Sequence, residues 1–251
     1  MTIVPYYATN NPCYSNPSTI VPYGIVLHSI GTPQPSATRI IDSWNRASAE
    51  SCAHSVVDGN NGNTYQALPW TYRGWHCGVG RNGTANANYI GVEMGESSTI
   101  RYAPNSGTIV SGDLTDIIRV ADITYAGAVD LFAYLFETLV LDPNGTNTII
   151  GHNEAYQLGI SSNHVDPVHL WNYVASQTGQ PYYTMDTFRA AVRQKCIDNG
   201  YIYPGPTPPQ PTPDPSPYWR VQVGAYLIKK NAEKMKIKLN EEGFPAYITR
   251  Y

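Results

Sequence analysis

The sequence predicts an α/β protein: a mixed central β-sheet flanked by helices, followed by a small C-terminal βαβ element. Short apolar runs alternate with helical patterns from residue 19 to residue 200, an arrangement that buries a sheet between helices. A proline-rich stretch then breaks the pattern, with eight prolines in the fourteen positions from Pro204 to Pro217. Beyond it a strand–helix–strand pattern runs to Tyr251.

The run TIVPYGIVLHS (19–29) reads as a buried strand ending near His28. SATRIIDSWNRAS follows as a helix, with Ser36 as N-cap and Ile40, Ile41 and Trp44 on one face. AHSVVD (53–58) and NTYQALP (63–69) are strands joined by Gly59-Asn60-Asn61-Gly62, a hairpin signal. YIGVEMG (89–95) is a further apolar strand. From about Thr115 to Leu141 apolar residues recur at helical spacing until Asp142-Pro143 stops them. TIIGH (148–152) is a short strand, and HNEAYQLG a helix closed by Gly159. MDTFRAAVRQKCIDNG (185–200) is an amphipathic helix capped by Gly200.

These elements divide the chain into a large domain, 1–202, a stiff polyproline-type linker, 203–217, and a tail, 218–251. The tail reads as strand (YWRVQVGAY), helix (KKNAEKMKIKLNEEG) and strand (PAYITRY). One βαβ piece of this size is small to stand alone. It is expected to pair with a second copy, giving a homodimer, or to be half of a larger module.

The net charge of −3 argues against a nucleic-acid partner. The charge is uneven: residues 217–251 hold seven Lys/Arg and three Glu, hence +4, leaving −7 for the rest. A basic tail on an acidic body suits an anionic polymer, and equally a solvated helix face. The 20 tyrosines suit contact with sugars, because the ring stacks on apolar faces while the hydroxyl stays polar. No run approaches the ~18 apolar residues of a membrane span, and MTIVPYYATNNPCYS shows no secretory signal. Cys13, Cys52, Cys77 and Cys196 form no C-x-x-C pair and are expected to be free thiols.

Of six histidines, His28 and His152 each close an apolar strand, where α/β enzymes build sites on rigid supports. Asp166, in SNHVDP, follows shortly after His152. Two imidazoles and one carboxylate compose a catalytic zinc centre with one position open to water. The spacings match no short metal motif, so from the residues alone a hydrogen-bonded strand edge stays open as the alternative.

The segments GIVLHSIG (24–31), AHSVVDGNNGNTYQALP (53–69), RGWHCG (73–78), YIGVEMGE (89–96) and GHNEAYQLGISSNHVDP (151–167) occur in an order that resembles one family. It is the type 2 N-acetylmuramoyl-L-alanine amidases, shared by phage endolysins, bacterial autolysins and peptidoglycan-recognition proteins. NPCYSNPSTIVPYGIVLHSIGTPQPSA resembles the endolysins of Gram-positive phages in particular. The resemblance implies a zinc-dependent hydrolase that degrades the bacterial cell wall. It implies one catalytic Zn2+ held by His28, His152 and Asp166, with Glu93 as general acid–base and His164 stabilising an oxyanion. The exchange of roles in which His164 binds the metal and Asp166 orients it stays open. Trp75, His76 and His54 are implied at the substrate groove. Ala53 stands where some relatives carry a catalytic tyrosine, which puts a tyrosine-assisted mechanism in doubt. The tail resembles one repeat of the sporulation-related repeat, a wall-binding element, of which about half a module is present.

The resemblance leaves a rival of another class, a non-catalytic peptidoglycan-recognition module, which typically lacks a full metal triad. A glycosidase would need two carboxylates flanking a sugar cleft, and Glu93 with Asp166 would leave the histidines unexplained. Without an export signal the protein is expected to be made in the bacterial cytoplasm and to reach the wall after holin- or lysis-dependent release. That fits an endolysin, and also a mother-cell autolysin.

Overall fold

A computed structural model of the protein describes residues 1–205, 229–243, 246 and 248. The chain forms two compact units, Met1–Tyr203 and Pro204–Tyr251. In chain order the first unit contains β1 (Ile3–Pro5), α1 (Pro12–Ser15), β2 (Gly24–Ser29), α2 (Ala37–Trp44), β3 (Ser55–Val57) and β4 (Thr64–Gln66). Then come β5 (Tyr89–Met94), β6 (Arg101–Tyr102), β7 (Ile109–Ser111), α3 (Leu114–Thr138), β8 (Ile149–Gly151), α4 (His152–Gln157), α5 (Val168–Thr178) and α6 (Met185–Asp198). In the second unit the described structure is α7 (Lys229–Glu241). The expected linker beyond residue 205 and the two tail strands lie outside the described residues, apart from Ala246 and Ile248.

Six strands form one mixed sheet in the order β1-β4-β3-β5-β2-β8. Only the β3–β4 hairpin is antiparallel; the other four pairings are parallel. Period-two alternation then sorts the side chains. Ile25 and Leu27 of β2, Ile90, Val92 and Met94 of β5, and Ile149 of β8 join the main core, where Leu131, Phe132 and Phe136 of α3 and Phe188 of α6 cover them. Val26, Tyr89 and Ile150 face the other way into a smaller cluster. His28 and Glu93 alternate with the core set and so share the face away from α3. A third cluster, built by Ile40, Ile41 and Trp44 of α2 with Val56 and Leu68, covers that face towards β3 and β4. Because β5, β2 and β8 are adjacent and parallel, their C-terminal ends lie side by side at one edge, where open α/β sheets place ligands.

Several boundaries differ from the sequence expectation. β2 begins at Gly24 rather than residue 19, because Pro22 offers no N–H to a ladder and Val21 is 87% exposed. Ser36 takes the N-cap position of α2 without capping it; Asp58, from the hairpin turn, accepts the Ala37 amide instead at 2.8 Å. His152 is the first residue of α4, not the last of a strand. Among the described residues no helix is long and apolar enough to cross a membrane.

Candidate metal centre

His28 stands near the end of β2, directly beside Glu93 of β5 in the strand register. His152 follows β8 on the opposite flank of β2. Asp166 arrives from the loop after α4, whose path is tied down by the Asn153 amide donating to the Asp166 carbonyl at 3.1 Å. The three side chains converge. His28 Nδ1 lies 3.0 Å from His152 Nδ1 and 3.1 Å from Asp166 Oδ2, and His152 Nδ1 lies 3.3 Å from Asp166 Oδ1. All three residues are buried.

The electrostatics suit a cation. Burial lowers the His28 pKa to about 4, against the opposing pull of Asp166. Burial alone would raise the Asp166 carboxyl, but hydrogen bonds from His152, His164 and His28 outweigh it and hold the group well below its usual range. Near neutral pH the Asp166 carboxylate is thus an anion facing the uncharged imidazole of His28, and a buried charge calls for a partner. Two convergent imidazole nitrogens with one carboxylate fit a divalent ion, and their donor atoms all lie within 4.8 Å of one another.

Glu93 is half-buried, and its Oε2 has no protein partner among the described residues. Burial, then the charges of Asp166 and Glu96, push its carboxyl well above the usual range. His164 stays 57% exposed, stacks on His152 at 4.4 Å between centroids, and has its Nδ1 3.6 Å from Asp166 Oδ1. Asp166, not His164, joins the converging set. Hydrogen bonding to Asp166 raises the His164 pKa.

Residues 18–169 match the model of the N-acetylmuramoyl-L-alanine amidase family. The chain belongs to that family. No curated protein matches this amidase. Its fold is similar to that of hydrolase AmiA from Staphylococcus aureus, solved in complex with its ligand, at 20% identity and a TM-score of 0.55, covering 81% of this chain and 88% of that one. It is also similar to the catalytic domain of XlyA, at 20% identity and a TM-score of 0.51, and to a mutant endolysin from Bacillus subtilis, at 20% and 0.50. Each of these two likenesses covers 76% of this chain and 99% of the other.

Within the amidase, the three residues expected at the groove separate. Trp75 is 39% exposed. His54 is fully buried, with Nδ1 accepting the Gly91 amide at 3.0 Å and Nε2 donating to the Tyr72 carbonyl at 2.7 Å. Both nitrogens are therefore spent on the scaffold, and no face of His54 is offered to a substrate. The ring nitrogens of His76 face His28 and the Tyr89 carbonyl rather than solvent. All four cysteines are buried free thiols.

The His76 ring lies on Gly91, where a Cβ would come within 2.4 Å of the ring's Cγ. This close approach explains a glycine in mid-strand. Gly91→Ala is expected to cost about 1–3 kcal/mol in urea unfolding, as overpacking does, and unchanged stability would show that the ring has room to move.

One buried cluster is built on Glu96 and His169, two residues that the sequence alone places at the surface or in support of the site. The Glu96 carboxylate is fully buried, accepting from the Tyr102 hydroxyl at 2.5 Å and the Gly31 amide at 3.1 Å. Nε2 of His169, on α5, lies 3.0 Å from the same hydroxyl and 3.6 Å from Glu96 Oε1. The cluster links the loops after β2 and β5 to the helix that follows Asp166. Burial raises the Glu96 pKa from 4.5 to about 7. Below pH 4.5 both folded and unfolded chains carry this proton. Between 4.5 and 7 only the unfolded chain gives it up, so stability falls with rising pH and levels off above 7. Relative to Glu96→Gln, the unchanged amidase is expected to lose up to about 3 kcal/mol across that window. Urea unfolding of both proteins at pH 4.5 and 8 measures it, and a constant difference would refute it.

Proposed function

We propose that this amidase hydrolyses the bond between N-acetylmuramic acid and the L-alanine of peptidoglycan, with zinc held by His28, His152 and Asp166. The observation that carries the reading is the convergence of these three side chains at the ends of adjacent parallel strands, within a chain of this family. Zinc bound there would polarise a carbonyl and bring the pKa of a water from about 15.7 towards 7. Glu93, one strand from His28, takes the proton of the attacking water and returns it to the leaving alanine nitrogen. Its raised proton affinity suits both transfers. His164, exposed beside Asp166, donates to the oxyanion that develops on the lactyl oxygen. Trp75 offers an exposed ring to the substrate.

Lytic action of the phage-endolysin type is part of the proposal, supported by the resemblance of residues 11–37 to such enzymes. Residues 1–202 would carry the chemistry. The basic segment 218–251 would hold the enzyme on anionic wall polymers or pair it with a second copy. The test is digestion of purified Gram-positive walls, followed by mass spectrometry. New alanine amino termini without new reducing sugars are expected. Zinc-loaded protein that binds walls but releases no amine would instead make the chain a recognition module.

A further inference from the structure

We propose that His76 is a positioning residue that dictates which nitrogen of His28 faces the metal, through a hydrogen held between the two imidazoles; this rests on the metal reading of the site given above.

His76 is fixed from three sides. Its amide and that of Cys77 both donate to Oδ1 of the buried Asn86 at 2.9 Å. Its ring rests on Gly91. Its Nε2 lies 3.2 Å from the Tyr89 carbonyl oxygen, and its Nδ1 lies 3.0 Å from His28 Nε2.

The hydrogen positions follow from what each atom can do. A carbonyl oxygen only accepts, so Nε2 of His76 carries hydrogen and the neutral ring keeps its lone pair on Nδ1. A lone pair facing His28 Nε2 at 3.0 Å is favourable only when that nitrogen carries hydrogen too. In the metal-loaded site, where the ion takes the place of the hydrogen that Nδ1 would otherwise give Asp166, neutral His28 presents its lone pair on Nδ1, the atom that faces His152 and Asp166. A backbone carbonyl on β5 thus sets, through two rings, the ligating nitrogen on β2. Metal-binding imidazoles are generally held in this way by an acceptor on the outer nitrogen. His152 lacks such support, since its buried Nε2 has no protein partner among the described residues.

Cys77 sharpens the choice. Its Sγ lies 3.2 Å from His76 Nδ1 and 3.8 Å from His28 Nε2, so His28, His76 and Cys77 form a second convergent donor set. An ion there would require the lone pair of His28 Nε2, the opposite tautomer. Cys77 is fully buried, and a thiol in apolar surroundings keeps its proton. That favours the hydrogen-bonded arrangement over the second set.

The experiment uses the full chain, zinc and nitrogen-labelled histidine. Long-range proton–nitrogen correlation spectra of the zinc-loaded protein are expected to show hydrogen on Nε2 of both His76 and His28. Hydrogen on Nδ1 of His76 would overturn the proposal. In chelator competition, His76→Phe is expected to weaken zinc binding about 10–100-fold. His76→Asn, which restores an acceptor near the Nδ1 position, is expected to recover part of the loss. A folded His76→Phe protein that binds zinc as tightly as the unchanged chain would overturn the proposal. A thiolate-to-cobalt absorption band in the cobalt(II)-loaded protein would do so as well. His152→Ala separates the two readings: if it too leaves zinc affinity unchanged, the metal reading falls, whereas loss there but not in His76→Phe removes the relay alone.

Discussion

Glu93→Gln is expected to keep its zinc and lose at least about 100-fold in turnover, the lower end of general acid–base contributions. The reason is positional. Glu93 sits in register with His28 on the neighbouring strand, on the sheet face that the main core leaves free. Its Oε2 has no partner among the described residues, so nothing in the protein competes for the proton it takes. Glutamine has nearly the same shape and cannot accept that proton. Amine release from walls, with zinc content measured on the same sample, checks the result. Near-normal turnover would take Glu93 out of the mechanism.

Loss of the metal is expected to have the larger effect. Removing zinc with a strong chelator, or replacing His152 with alanine, should cut amine release by more than about 1,000-fold, because the water returns to its ordinary acidity. Re-adding zinc should restore the chelated protein but not His152→Ala. The fold should survive both treatments, since Ile25, Leu27, Ile90, Val92, Phe132 and Phe136 pack on the other face of the sheet. Circular dichroism and metal analysis would check both halves of the expectation. Full activity in metal-free protein would remove zinc from the reaction.

The parts of the fold that could be read in the sequence are those with local signals. The apolar runs of β2 and β5, the Gly-Asn-Asn-Gly hairpin and the long α3 pattern each announce themselves within a dozen or so residues. β1, β6 and β7, of two or three residues each, lie outside such apolar runs and carry no comparable signal. α5 went unread although Gly179, at φ +66, closes it, since its β-branched and aromatic residues dilute the helical pattern. Glu96 looks like a surface residue after a strand; Tyr102, Gly31 and His169, two of them far off in the chain, make its burial tolerable. The family resemblance of GWHCG places His76 with Trp75 at the substrate groove. The backbone bends at His76 and Cys77, so the indole of Trp75 goes outward while the imidazole turns to His28.

The mounting of the three converging side chains is unequal, and that has a kinetic consequence. His28 rides on a strand hydrogen-bonded on both sides, whereas Asp166 is carried on the segment after α4, where Asn163, His164 and Val165 are exposed. Backbone amides of β2 and β5 belong to the part of a domain that opens only with global unfolding, while exposed loops open at far smaller free energy. An ion at this site would therefore come and go by the loop side, with the strand-borne ligand waiting in place. Protection from hydrogen exchange should follow the same gradient, slower at residues 25–28 than at residues 163–165.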